Sequence, residues 1–231
     1  MQETAQPTRR KRADRRRPAT RQRIVEATVE LIAEGGTGSL TLAAICRRAG
    51  VHTSGIYNYF PDLDACARAA VAQVTDAIIE RGRAVRRMVV QRGEWSADRV
   101  IGVVADTLAI HRADWQTSLL ILRCEHEDSV VGEAIRESRL ESDRQLAEDL
   151  FVGAVQGGLT GHRPEEFMTV ARLVNATFMD AVGILAADPD ADLAELTRVT
   201  GRYVYFAILG INGAQWEQDV LAAQAELDAR S

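Results

Sequence analysis

Two short apolar stripes flank Gly50, and their closeness leaves few ways for the chain to fold between Thr41 and Pro61. Leu42, Ile45 and Ala49 fall at helical spacing, with Thr41 placed to cap the helix start and Gly50 to stop it. Three or four residues later Ile56, Tyr57 and Phe60 repeat the spacing, and Pro61 ends the run. Helix, tight turn, helix is the outline of a helix-turn-helix. By itself that outline is common among helical proteins. Here the second helix also carries Thr53, Ser54, Tyr57, Asn58 and Tyr59, short polar and phenolic side chains suited to base edges and phosphate oxygens.

Helices are expected on both sides of this unit. Upstream, Ile24, Ala27, Thr28, Leu31 and Ile32 make one stripe, with Thr20 as cap and Gly35, Gly36 and Gly38 as the stop. Downstream, Asp62 can cap a long helix whose stripe runs through Leu63, Cys66, Ala70, Val74, Ala77 and Ile78 to about Arg87.

Charge separates the beginning of the chain from the rest. Residues 1–23 hold nine basic side chains (Arg9, Arg10, Lys11, Arg12, Arg15, Arg16, Arg17, Arg21 and Arg23) against Glu3 and Asp14, a net +7. The whole chain has 28 basic and 33 acidic residues, so the remainder carries 19 and 31, a net -12. A basic arm on an acidic body points to a polyanionic partner for the arm. Residues 1–19, poor in apolar side chains and holding Pro7 and Pro18, are expected to be a disordered basic arm.

The matching residues go further than the outline. Arg23-Ile24-Val25-Glu26-Ala27, Leu42 to Ile45, Ala49-Gly50-Val51 and Ile56-Tyr57-Asn58-Tyr59-Phe60-Pro61 together resemble the DNA-binding domain of the TetR family of repressors. The resemblance covers about residues 20–70 and is most specific in the run AGVHTSGIYNYFPDLD. It implies that Thr41 and the region of Arg47 and Arg48 meet the phosphate backbone. It further implies that His52, Thr53, Ser54 and Gly55 sit at the end of the helix that enters the major groove, and that Tyr57, Asn58 and Tyr59 reach phosphates, sugars or bases. Ile45, Val51, Ile56 and Phe60 would form the small core. Three positions depart from the family pattern. His52 takes the place of a Ser or Thr cap, Gly55 lowers helix propensity by up to about 1 kcal/mol, and Leu63 removes a frequent lysine.

From about Ala97 onward one apolar helical stripe follows another, through Val100–His111, Leu119–Leu122 and Val130–Val155. Gly157, Gly158 and Gly161 are expected to break the pattern before Pro164 opens a helix at its preferred first-turn position. Asp188-Pro189-Asp190 would end that helix, and a last one would span about Leu193 to Ile211. The final two helices are apolar on more than one face, which calls for a partner surface. The resemblance implies a homodimer joined through them.

In such a fold the middle helices would enclose a small-molecule effector. The residues expected to line its site are Leu108, His111, Trp115, Leu119, Leu122, Arg123, His126, Phe151, Asn175, Phe178 and Met179. Their mostly aliphatic and aromatic character suggests a hydrophobic effector.

The fold class expected is therefore all-α: a disordered arm at 1–19, a three-helix DNA-binding domain at 20–66, and a larger helical ligand-binding and dimerisation domain at 67–231. The expected function is a cytoplasmic, dimeric, ligand-responsive transcriptional regulator, a repressor of a pseudo-palindromic double-stranded DNA operator. The alternative is a helical binding module whose arginine arm takes RNA or an anionic surface. Against an enzyme stand the lack of a GxSxG, of a phosphate loop and of a recognisable catalytic pair. The odd, unpatterned Cys46, Cys66 and Cys124 suggest free thiols, and no metal or cofactor is expected. No apolar run of about 20 residues stands out, so no membrane span is expected.

Overall fold

The computed structural model describes residues 9–90, 96–156, 163–188 and 190–211. Among them every regular element is a helix, with no strand. The order is α1 (Arg9–Gly35), a 3-10 turn (Thr37–Ser39), α2 (Leu42–Ala49), α3 (Thr53–Ile56), α4 (Leu63–Val90), α5 (Ala97–Ala113), α6 (Trp115–Cys124), α7 (Val130–Gln156), α8 (Pro164–Ala187) and α9 (Leu193–Ile211). The chain forms two compact units. The first takes residues up to Asp76 together with Leu119–Arg136, and the second takes Ala77–Ser118 with the chain from Glu137 onward.

The first unit is built on the stripe of α1. Ile24, Val25, Ala27, Thr28, Leu31 and Ile32 are buried against Ile45, Cys46 and Ala49 of α2, Ile56 of α3, Phe60, and Cys66, Ala67, Ala70 and Val71 of α4. The buried Thr28 hydroxyl donates to the Ile24 carbonyl at 2.8 Å, so its burial leaves no hydrogen bond unmade. Leu120, Cys124, Val131, Ala134 and Ile135 complete the same core. This contribution from the end of α6 and the start of α7 lies far away in sequence, which is why the stripe pattern does not reveal it. The expected boundary at 66/67 leaves these residues in the second domain.

The turn joining α6 to α7 is tightly fixed within this unit. Arg136 donates through Nη1 to the carbonyls of Glu125 (2.7 Å) and Glu127 (3.1 Å). The Thr37 hydroxyl donates to the Glu127 carboxylate, tying the turn to the 3-10 segment.

In the second unit α5 packs against both α9 and α8, and α8 packs against α9. Val100, Val104, Leu108, Phe167, Ala171, Val174, Ala181, Val182 and Val204 are buried there. Phe151 and Phe167 meet edge to face with ring centroids 5.7 Å apart. Pro164 does stand in the first turn of α8. The expected break at Gly157, Gly158 and Gly161, and Pro189 in the stop after α8, lie outside the described residues.

Two expectations need correcting. Helix α1 begins at Arg9 rather than after a cap at Thr20, so the part of the 1–19 arm that is described is helical, with Pro18 inside the helix. Arginine is a good helix former and favours the extension, while Pro18 within it removes one backbone hydrogen bond and crowds the carbonyl one turn before it. The second helix of the motif is shorter than its spacing suggests. It ends at Ile56 and passes into a turn over Tyr57–Tyr59, because Gly55 weakens it and Pro61 biases Phe60 away from helix. Glu165–Ala187 of α8 reaches a mean hydropathy of 1.4 over its most apolar 18 residues, a level that the core helices of soluble proteins also reach, and it packs on α5 and α9.

A candidate DNA-binding face

The geometry of the motif follows from three local devices. The Thr41 side chain accepts a hydrogen bond from the Ala44 backbone N–H at 3.1 Å and so caps α2. Gly50 ends α2 with φ +65° and ψ 41°, a left-handed conformation that side chains with a Cβ rarely adopt. Asp62 accepts from the Ala65 N–H at 2.7 Å and starts α4. Between these fixed points α3 has one side turned inward, with Ile56 fully buried and Phe60 nearly so. Arg21 of α1 lies over the Phe60 ring at 5.0 Å from its centroid, a cation–π contact that clamps the end of the motif.

The opposite side of α3 faces solvent. His52, Thr53, Ser54, Tyr57 and Asn58 are exposed, while Gly55 and Tyr59 are half-buried. Tyr57 is 54% exposed, a large fraction for an aromatic residue beside a formed core. His52 occupies the cap position of α3 but makes no side-chain cap hydrogen bond; its carbonyl accepts from the Gly55 N–H at 2.8 Å. A Cβ at Gly55 would meet nothing within 4 Å, so the backbone here can be approached closely from outside. The Cys46 thiol lies 3.7 Å from the Thr53 hydroxyl, a weak tether between α2 and α3.

The two arginines of α2 differ. Arg47 stands exposed. Arg48 is held by Glu30 at 3.0 Å and by Glu34 at 2.6 Å across to α1. Its hydrogen bonds to Glu34 and then Glu30 push the guanidinium pKa up, and the same contact pulls Glu34 down. Sequence reasoning selected Arg48 as a backbone contact and missed these partners, which lie in the last two turns of α1.

The residues selected for an effector site are distributed over both units. Leu119 and Leu122 are half-buried and Arg123 and His126 exposed in the first. In the second, Leu108, His111 and Phe178 are buried and Trp115, Phe151, Asn175 and Met179 half-buried. Two of the polar ones are already engaged. Asn175 Nδ2 donates to the buried Asp143 carboxylate at 2.7 Å. His111 Nδ1 lies 3.0 Å from Ser118 Oγ, which also reaches the carbonyls of His111 and Asp114, both at 3.1 Å. The Ser118 hydroxyl thus has three neighbours for its one proton, and the direction of the His111–Ser118 bond is set by the imidazole tautomer. Burial, then the nearby Arg81, pushes the His111 pKa down to about 4. Ser118 escaped sequence reasoning because only the short α5–α6 connection brings it beneath His111. The three cysteines are buried and free.

With this geometry in view, comparison with known proteins is specific. Residues 24–70 match the family described as bacterial regulatory proteins, tetR family. The chain is 30% identical over 149 residues to the HTH-type transcriptional regulator BetI of Escherichia coli O127:H6, covering 58% of this chain and 75% of that protein. Against BetI of Klebsiella pneumoniae identity rises to 40% over 68 residues, 28% of this chain and 35% of that one. Among solved structures, the regulator FadR of Bacillus subtilis in complex with stearoyl-CoA aligns with a TM-score of 0.62 at 18% identity, over 80% of this chain and 97% of that one. A tetR-family transcriptional regulator of Streptomyces coelicolor aligns with a TM-score of 0.59 at 14% identity, over 91% and 90%. These structural likenesses concern the fold.

Proposed function

Because this chain belongs to the tetR family of bacterial regulatory proteins, a family of DNA-binding transcriptional regulators, we propose that it is a ligand-responsive repressor. It binds a pseudo-palindromic operator as a homodimer in the cytoplasm and is released by a small molecule with a hydrophobic body. The observation that carries this reading is the two-sided α3. Ile56 is anchored in the core, while Thr53, Ser54, Tyr57 and Asn58 stand in solvent beside the Gly50 turn. Their short hydroxyls and amide suit base edges and phosphates, and Thr41 and Arg47 extend the same chemistry onto α2. The arginines of the first helix add a sequence-independent attraction for phosphate.

Dimerisation is supported by apolar side chains left in solvent on the last two helices. Leu173 and Ile184 of α8 and Val199, Tyr203 and Phe206 of α9 are each at least half exposed. A second copy covering them would pair two α3 helices about a twofold axis and so read two half-sites. An effector then acts by binding one dimer state more tightly than the other. The stearoyl-CoA in the FadR structure shows that this fold accommodates an amphiphile in that protein.

The test is a mobility shift on the DNA upstream of the protein's own gene, at two salt concentrations with non-specific competitor. A complex that survives competition and weakens with salt is the expected result. A complex lost equally to bulk tRNA would instead favour an arginine arm directed to RNA.

A further inference from the structure

Two arginines of α4, each less than a quarter exposed, meet α7, and each stands beside one carboxylate. Arg86 Nε lies 3.3 Å from Asp149 Oδ2, whose side chain is only 9% exposed. Arg83 reaches Glu148 at 3.8 Å, and that carboxylate is 68% exposed, so solvent screens it. On their buried side, Arg86 Nη2 and Arg83 Nε have no hydrogen-bond partner, and Gln145 Oε1 is a buried acceptor without a donor. The Gln145 amide nitrogen is already committed to Glu141 at 3.1 Å. Gln145, Glu148 and Asp149 stand at i, i+3 and i+4 on α7, one face of that helix, and it is the face the two arginines meet. The three orphaned atoms therefore lie along one contact between α4 and α7 within the second unit.

Such an arrangement is costly unless something completes it. An arginine cannot shed its charge, and a buried N–H without an acceptor retains its full desolvation penalty. Burial pushes the Arg86 pKa down, Asp149 opposes this, and Arg83 and Arg87 add like-charge repulsion. One negative group with two oxygens would give the two unmatched N–H groups their acceptors. Guanidinium forks match the paired oxygens of a carboxylate or phosphate.

We propose that Arg83, Arg86 and Gln145 form the headgroup site of an acidic amphiphile. A carboxylate or phosphate ester accepts from the two guanidinium groups, and in the phosphate case the one proton a monoanion retains donates to Gln145 Oε1. The assignment rests on the effector reading above and deepens it, since it adds a negative charge to a molecule otherwise described only as hydrophobic.

Four probes with the same alkyl chain test this by calorimetric titration into the full chain below their micelle concentrations: dodecanoate, dodecyl phosphate, dodecanol and dodecyltrimethylammonium. At least one acid is expected to bind about tenfold or more tighter than the alcohol, and the cation not at all; the two acids distinguish a carboxylate from a phosphate source. Arg83→Met should remove that advantage while leaving the fold intact, because its ion pair with Glu148 is long and solvent-exposed. Arg86→Lys, which keeps a charge beside Asp149 but loses the fork, should weaken acid binding less than Arg83→Met plus Arg86→Lys together. Equal binding of acid and alcohol, or an acid advantage that survives Arg83→Met, overturns the headgroup site and leaves the hydrophobic-effector reading standing. Binding by none of the four also overturns the site; the effector reading then depends on whether uncharged hydrophobic compounds release the DNA complex. Water bridging the three atoms corresponds to the first of these overturning outcomes.

Discussion

Gly132, near the start of α7, occupies a place where a single added carbon has nowhere to go. A Cβ there would lie 2.3 Å from the Glu127 carbonyl oxygen and 2.8 Å from that of Cys124, both backbone atoms. An ordinary C···O approach is about 3.3 Å, so the α6–α7 turn must move by about 1 Å. The moving carbonyl of Glu127 accepts from Arg136 at 3.1 Å, and the Glu127 side chain accepts from Thr37. The Gly132 N–H itself donates to Ser129 Oγ at 3.1 Å. Overpacking of this kind costs about 1–3 kcal/mol, and weakening a hydrogen bond from a charged donor costs about 1.5–3 kcal/mol. Because the two losses overlap, Gly132→Ala should cost about 3 kcal/mol. For a chain of this size that lowers the melting midpoint by about 6–12 °C. Thermal and urea unfolding followed by circular dichroism measure it directly. Gly102→Ala is the control, since its Cβ meets nothing within 4 Å and a helix gains from alanine. A Gly132→Ala protein within about 0.5 kcal/mol of the parent would refute the reasoning.

Four further outcomes are expected. His52→Ser supplies the missing cap of α3 and should raise stability by about 0.5–1 kcal/mol in urea unfolding, whatever its effect on DNA affinity. His111 is neutral when folded, with its pKa lowered from 6.5 to about 4, so its contribution is complete above pH 6.5 and is lost as pH falls toward 4. That loss amounts to about 3 kcal/mol, and His111→Gln should remove this component from the stability–pH curve measured by denaturation. Deleting residues 1–19 should weaken DNA binding and flatten the plot of log K against log salt, by about 0.9 for each phosphate contact removed; an unchanged slope would exclude the arm from the complex. Phe206→Asp, at a position 61% exposed on α9, should convert a dimer to monomers in sedimentation velocity while leaving the helical content unchanged.

What sequence alone revealed depends on how local the determining interactions are. The cap at Thr41, the left-handed Gly50, the Asp62 cap and the buried Ile56 and Phe60 all act within a few residues, and each could be read from spacing and residue type. The length of α3 was harder, because Gly55 and Pro61 act against an otherwise helical pattern. Contacts between distant segments left no trace. Arg48 resembles a free surface cation until α1 brings Glu30 and Glu34 beside it. The α6–α7 turn shows nothing in its apolar pattern to place Leu120, Cys124 and Ile135 in the core of the first unit. Arg83, Arg86 and Gln145 are ordinary polar residues in sequence, and only the packing of α4 against α7 leaves one buried polar atom of each without a hydrogen bond. Aliphatic spacing marks which helices pack; it carries little information about which polar group meets which.

The central claim is that two exposed α3 faces read two half-sites of one operator. Footprinting of the purified protein on the DNA upstream of its own gene tests this most directly. The expected result is paired protection in adjacent major grooves, centred about 34–36 Å or a multiple of that apart, which Tyr57→Ala combined with Ser54→Ala abolishes without unfolding the protein. Protection that shows no paired spacing, or that the double variant leaves intact, would contradict it.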